Sequence, residues 1–81
     1  MSDAARTAAG AHFVLTAAVP SPGLVSGDVG TVVHVYEDGK AFEVEFVTLD
    51  GQTAAVATIE ASSVRPVTGR EITHSREFIR S

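Results

Sequence analysis

Two Asp-Gly pairs, Asp38-Gly39 and Asp50-Gly51, constrain this chain more than any other feature. Each sits between runs in which apolar or β-branched residues alternate with polar ones. Asp-Gly in that setting is the strongest short-range hairpin signal, because both residues accept the positive φ that a tight connection demands. Taken as a two-residue turn, Asp38-Gly39 sets a register in which Glu37 opposes Lys40, Tyr36 opposes Ala41, Val35 opposes Phe42 and His34 opposes Glu43. Val33 then opposes Val44, and Val32 opposes Glu45. The pairs Val35–Phe42 and Val33–Val44 share the core face, since a slip of one residue would bury Glu43 and Glu45. Asp50-Gly51 does the same for Ala41–Leu49 and Gln52–Ile59, setting Ala55 near Phe46, Ala57 near Val44 and Ile59 near Phe42.

The remaining segments complete an all-β pattern. His12-Phe13-Val14-Leu15-Thr16 reads as a first strand. Pro20-Ser21-Pro22-Gly23-Leu24 reads as a loop with a type II turn at Pro22-Gly23, anchored to the core by Leu24, its one large apolar residue. A second strand runs from Val29 to Glu37, and Gly30 inside it marks a bulge or a close approach. Glu60-Ala61-Ser62-Ser63 forms one helical or 3-10 turn. Val64-Arg65-Pro66-Val67 is a last strand, which Pro66 confines to an edge. Five short strands, a long first connection, two hairpins and a 3-10 turn before the last strand describe a small five-stranded SH3-like barrel over residues 12–68. An OB-fold would need a mid-chain helix for which there is no room. Residues 1–11 form a flexible, alanine-rich tail. In residues 69–81, Ile72 and Ile79 share one helical face, leaving two readings open, a short helix and an unstructured tail.

Composition narrows the function. Eighty-one residues without cysteine exclude disulfides, thiolate catalysis and cysteine-bound zinc, and no apolar run reaches the length that spans a bilayer. The N-terminal residues lack the continuous apolar stretch of a secretory signal, so the expected location is cytoplasmic. The formal charge of −4 is concentrated in the barrel. Over residues 12–68, Lys40 and Arg65 stand against Asp28, Glu37, Asp38, Glu43, Glu45, Asp50 and Glu60, a balance of −5. Such a field repels phosphates, so nucleic acid is not the expected partner; contact with RNA would fall to Arg70, Arg76 and Arg80 of the tail. No nucleophile elbow, Walker loop, metal-binding helix motif or dinucleotide fingerprint occurs, and no catalytic residue, cofactor or metal is assigned.

What the register leaves is an outer face on strands two to four. It carries Val32, His34, Tyr36, Glu43, Glu45 and Val56, together with Val47 and Thr58. Valines and one tyrosine ringed by carboxylates suit a protein interface, the carboxylates selecting a basic partner. His34 opposite Glu43 also suggests two ligands of a metal site, though a third would have to come from elsewhere.

The segments Phe13-Val14-Leu15-Thr16, Gly23-Leu24-x-x-Gly27-Asp28-Val29-Gly30-Thr31-Val32-Val33-His34-Val35-Tyr36 and Ala41-Phe42-Glu43-Val44-Glu45-Phe46-Val47 resemble the bacterial domain-of-unknown-function family 4926. The resemblance continues through Asp50-Gly51, Val56-Ala57-Thr58 and Val64-Arg65-Pro66-Val67. It implies a short stand-alone SH3-like barrel, encoded beside another small gene as in toxin–antitoxin or immunity pairs. A weaker likeness, to KOW segments and the nitrile hydratase β-subunit barrel, implies an accessory or metal-handling subunit. The expectation is a non-enzymatic protein-binding module, an antitoxin or immunity protein acting through its acidic face on a basic, neighbour-encoded protein. Oligomeric state is left open.

Overall fold

The alternating runs become five strands: β1 (His12–Leu15), β2 (Val29–Tyr36), β3 (Ala41–Val47), β4 (Thr53–Glu60) and β5 (Val64–Pro66). The computed structural model describes residues 10–20 and 22–78; residues 1–9 of the expected N-terminal tail, Ser21 of the first turn, and Ile79, Arg80 and Ser81 of the C-terminal tail lie outside it. The strands pair antiparallel in one sheet of order β4-β3-β2-β1-β5, with a 3-10 turn at Ala61–Ser63 leading into β5. This is the strand order of a small SH3-like barrel, all-β as expected. Among the described residues no pairing between β4 and β5 closes the ladder.

The sheet nevertheless coils tightly. Strands separated by one neighbour stand about 9.5 Å apart in a flat sheet. Phe13 of β1 and Phe42 of β3 are so separated, yet their ring centroids lie 4.7 Å apart in an edge-to-face pair. The inward faces of all five strands therefore converge on one core: Phe13, Leu15, Leu24, Val32, Phe42, Val44, Phe46, Ala55 and Ile59 are buried, with Val64 of β5 against them. Burying one such large side chain contributes roughly 1.5–3 kcal/mol, and no charged side chain among the described residues is buried with them. Leu24 is 2% exposed and pins the first loop, as its position in the sequence demands. Pro66 lies on the edge strand.

The second hairpin keeps its expected pairs and the first keeps those from His34 to Tyr36, but neither keeps its expected turn. Tyr36 opposes Ala41, Val35 opposes Phe42 and His34 opposes Glu43. The connection between them is wider than two residues, since Glu37, Asp38 and Gly39 all take positive φ and the Lys40 amide donates back to the Tyr36 carbonyl. The second loop is three residues, Leu49-Asp50-Gly51. It is closed by the Thr48 amide on the Gln52 carbonyl, with Gly51 at φ 88° supplying the left-handed end. An extra residue at Ala54 then offsets the longer loop, so Phe46–Ala55, Val44–Ala57 and Phe42–Ile59 pair as the sequence implies.

The expected register fails at the start of the first hairpin. The register shifts between Val32 and His34: Val32 pairs with Val44, Thr31 with Glu45, and Val33 is the extra residue. Val32 is consequently 1% exposed and belongs to the core, whereas Val33, expected inside, is 45% exposed. β2 pairs with β1 through Val29–Thr31 and with β3 from Thr31 onward. A bulge sharpens the local bend and twist where the strand passes from one half of the coiled sheet to the other.

The stretch after β5 forms no helix through residue 78. It runs back across the sheet as a strap, held by an Arg65–Glu71 pair at its start and by Arg76 on Asp28 further on.

Candidate functional site

The sheet's outer face positions five of the six residues singled out from sequence: His34 and Tyr36 on β2, Glu43 and Glu45 on β3, and Val56 on β4. Val32 is the exception and is removed from the face by its burial. Strand alternation puts the five on one side, since Phe42, Val44, Phe46 and Ala55 take the other. Across the ladder Glu43 pairs with His34 on one side and Thr58 on the other, and Glu45 lies between Thr31 and Val56.

Both carboxylates are held. The Tyr36 hydroxyl donates to Glu43 Oε1 at 2.5 Å, and the Thr53 hydroxyl donates to Glu45 Oε2 at 2.7 Å. The Tyr36 ring in turn packs against His34, centroids 4.3 Å apart and planes at 69°. Tyr36 titrates above its ordinary value. The hydrogen bond to Glu43 is the main cause, with desolvation and the glutamate's charge adding to it while Thr58 pulls the other way. A tyrosine that donates to a carboxylate keeps its proton because tyrosinate would face a like charge. Val56 (50% exposed) and Val47 (47%) extend the face with apolar surface.

Chemically, this arrangement is a set of fixed acceptors around an aromatic pair, open to solvent. Each glutamate keeps one oxygen outside the bonds just described, so a guanidinium or ammonium group could be received there without first ordering the side chains. Among the described residues no three His, Asp or Glu side chains converge as metal ligands, and His34 with Glu43 stays a pair. Two grooves among the described residues lie elsewhere, on either side of the strap. One is bounded by β1, β5 and the strap, the other by β2, the β3–β4 hairpin and the strap.

Sequence reasoning missed Asp28. Burial pushes its carboxyl upward, but hydrogen bonds from Arg76 and from the Val25 amide, with the arginine's charge, bring it below the usual value. Its partner is 48 residues away, so no local pattern could have signalled it. Of the tail arginines considered for RNA, Arg76 is thus engaged within the chain, and Arg80 lies outside the described residues.

Residues 12–66, from the start of β1 to the end of β5, match the family model of a domain of unknown function, DUF4926. No curated protein and no solved structure matches the chain. No helix among the described residues is long and apolar enough to cross a membrane.

Proposed function

The chain belongs to the DUF4926 family, and from that premise and the outer face of β2–β4 we propose that it is a non-enzymatic protein-binding module that engages a basic partner. One observation carries the reading: Glu43 and Glu45 are each fixed by a neighbouring hydroxyl on a face that also presents Tyr36, His34 and Val56. Held carboxylates lose little side-chain entropy on meeting an arginine or lysine, and the surrounding apolar and aromatic groups add contact area. The −5 balance of residues 12–68 speeds encounter with a positive protein and discourages an acidic one.

In its most concrete form the protein is an antitoxin or immunity protein, cytoplasmic, whose face covers a basic protein encoded by an adjacent gene. Co-expression with that gene product, followed by size-exclusion chromatography, should give a stoichiometric complex. Replacing Glu43→Lys together with Glu45→Lys should weaken it at least about tenfold at low salt, because charges at an interface act mainly on association rate and partner choice. An undiminished affinity in the double variant would exclude the acidic face as the binding surface.

A further inference from the structure

The strap behaves as a docked ligand rather than as part of the sheet. Among the described residues, no backbone–backbone hydrogen bond ties 72–78 to the strands. Its hold comes from side chains. Arg76 Nε donates to Asp28 Oδ1 at 2.8 Å and Nη2 to Oδ2 at 2.6 Å, a two-pronged pair, and Nη2 also reaches the Gly23 carbonyl at 3.1 Å. Nη1 donates to the Glu77 carbonyl at 3.1 Å, within the strap itself. Two residues on, Phe78 packs against the core and lies 5.8 Å from the Arg76 guanidinium carbon.

The receiving side is preformed by the barrel. Asp28 Oδ2 accepts the Val25 amide at 2.9 Å, a bond within the first loop that fixes the carboxylate, and with Arg76 in place the Asp28 side chain is 15% exposed. The first loop, pinned by Leu24, presents the Gly23 carbonyl beside it. Beside the strap an open groove remains, walled by Phe46, Val47, Leu49 and Ala54 on one side and by the strap from Thr73 to Phe78 on the other. Val47 and Leu49 are 47% and 97% exposed, so the strap leaves part of that apolar wall uncovered. The receiving residues fall within 12–66, the stretch that defines the family, whereas the strap lies beyond it.

We propose that Asp28, the Gly23 carbonyl and the core surface that Phe78 packs against form a receptor for an extended peptide that carries arginine and, two residues later, an aromatic ring, and that the chain's own strap fills this receptor in cis. A planar guanidinium matches a fixed carboxylate in two parallel bonds, which lysine cannot do. The occupant in trans is a segment of a partner protein. A second copy's strap has the same contacts but lacks the tether, which holds the cis strap at an effective concentration in the millimolar range. This site meets the Glu43–Glu45 face only at Val47 and does not depend on either glutamate.

The test uses full-length protein and a fluorescent peptide of sequence 68–78, followed by anisotropy. Arg76→Ala with Phe78→Ala opens the receptor, and its urea midpoint establishes that it is folded; Arg76→Ala alone serves if the pair does not fold. The opened chain should bind the peptide with a Kd on the order of 0.1 mM, and the wild type about tenfold or more weaker, the ratio set by a millimolar tether against that Kd. Adding Asp28→Asn to the opened chain, or Arg76→Ala in the peptide, should abolish binding. A folded, opened chain that ignores the peptide overturns the proposal. Equal binding by wild type and opened chain, or a wild-type dimer held by exchanged straps, overturns the occupancy in cis.

Discussion

Gly30→Ala probes how tightly the coiled sheet closes on its core. A β-carbon at this position would lie 2.4 Å from Val44 Cγ1 and 2.8 and 2.9 Å from two carbons of the Phe46 ring. Both neighbours are buried, at 0% and 4% exposure, so neither can swing into solvent. Two effects oppose each other. Alanine restricts the unfolded chain and would stabilise by about 0.4–1 kcal/mol where the native backbone accepts it. Forcing a methyl into a filled core costs about 1–3 kcal/mol. Contacts this short place the cost toward the upper end, so the net effect is a loss of about 1–2 kcal/mol. For a domain of this size the core supplies only about 3–5 kcal/mol in all. With a urea slope of about 1 kcal/mol per molar, the midpoint should fall by about 1–2 M, read by far-ultraviolet circular dichroism. The mechanism is checked by a cycle with Val44→Ala, which removes the nearest obstructing atom. That change alone should cost about 2–3 kcal/mol as a buried truncation, yet the double variant should be more stable than the sum of the two by about 1 kcal/mol or more. A Gly30→Ala protein as stable as wild type, or a strictly additive cycle, would refute the packing argument.

Two further outcomes follow from titrating groups. Tyr36 is the chain's single tyrosine, so ultraviolet absorbance of tyrosinate reports it alone. Glu43→Gln should lower its pKa toward the ordinary 10.0, and an unchanged alkaline titration would show that the Tyr36–Glu43 bond does not form in solution. Because the folded pKa is raised, the stabilisation it carries is complete below 10.0 and is lost as pH rises through the folded value. Glu71 is lowered to about 2 by the two-pronged bond from Arg65, with the Thr68 amide next in effect. Its contribution to holding the strap is therefore present above 4.5 and lost as pH falls through about 2. Carboxyl chemical shifts in Arg65→Ala should show Glu71 titrating much closer to 4.5, and a wild-type Glu71 already there would remove the strap's first anchor.

The legible and illegible parts of the outer face divide by how local their causes are. Tyr36 opposite Ala41 and His34 opposite Glu43 follow from the Asp38-Gly39 connection, because the four residues that join the strands, 37–40, are centred on that pair and so keep the register of a two-residue turn. Glu43, Glu45 and Val56 stay on the outside because strand alternation carries them there from Phe42 and Ala55. Val32 was lost at the point where extrapolation crossed a bulge. Thr31-Val32-Val33 are three β-branched residues in a row, and neighbouring valines give no alternation by which to decide which one points inward.

By itself, the sequence determined the strand count, the inward set Phe42, Val44 and Phe46, the anchoring role of Leu24 and the acidity of the barrel. These depend on residues adjacent in the chain: two Asp-Gly connections, a period of two, and a charge count. The tertiary structure alone decided that Val32 is core and Val33 surface, since the bend of β2 arises where its partner changes from β1 to β3. It alone decided that the residues from 69 to 78 are a strap rather than a helix. Three weakly spaced apolar residues cannot nucleate an isolated helix, and Arg76 gains more from a fixed carboxylate 48 residues away than from its own neighbours.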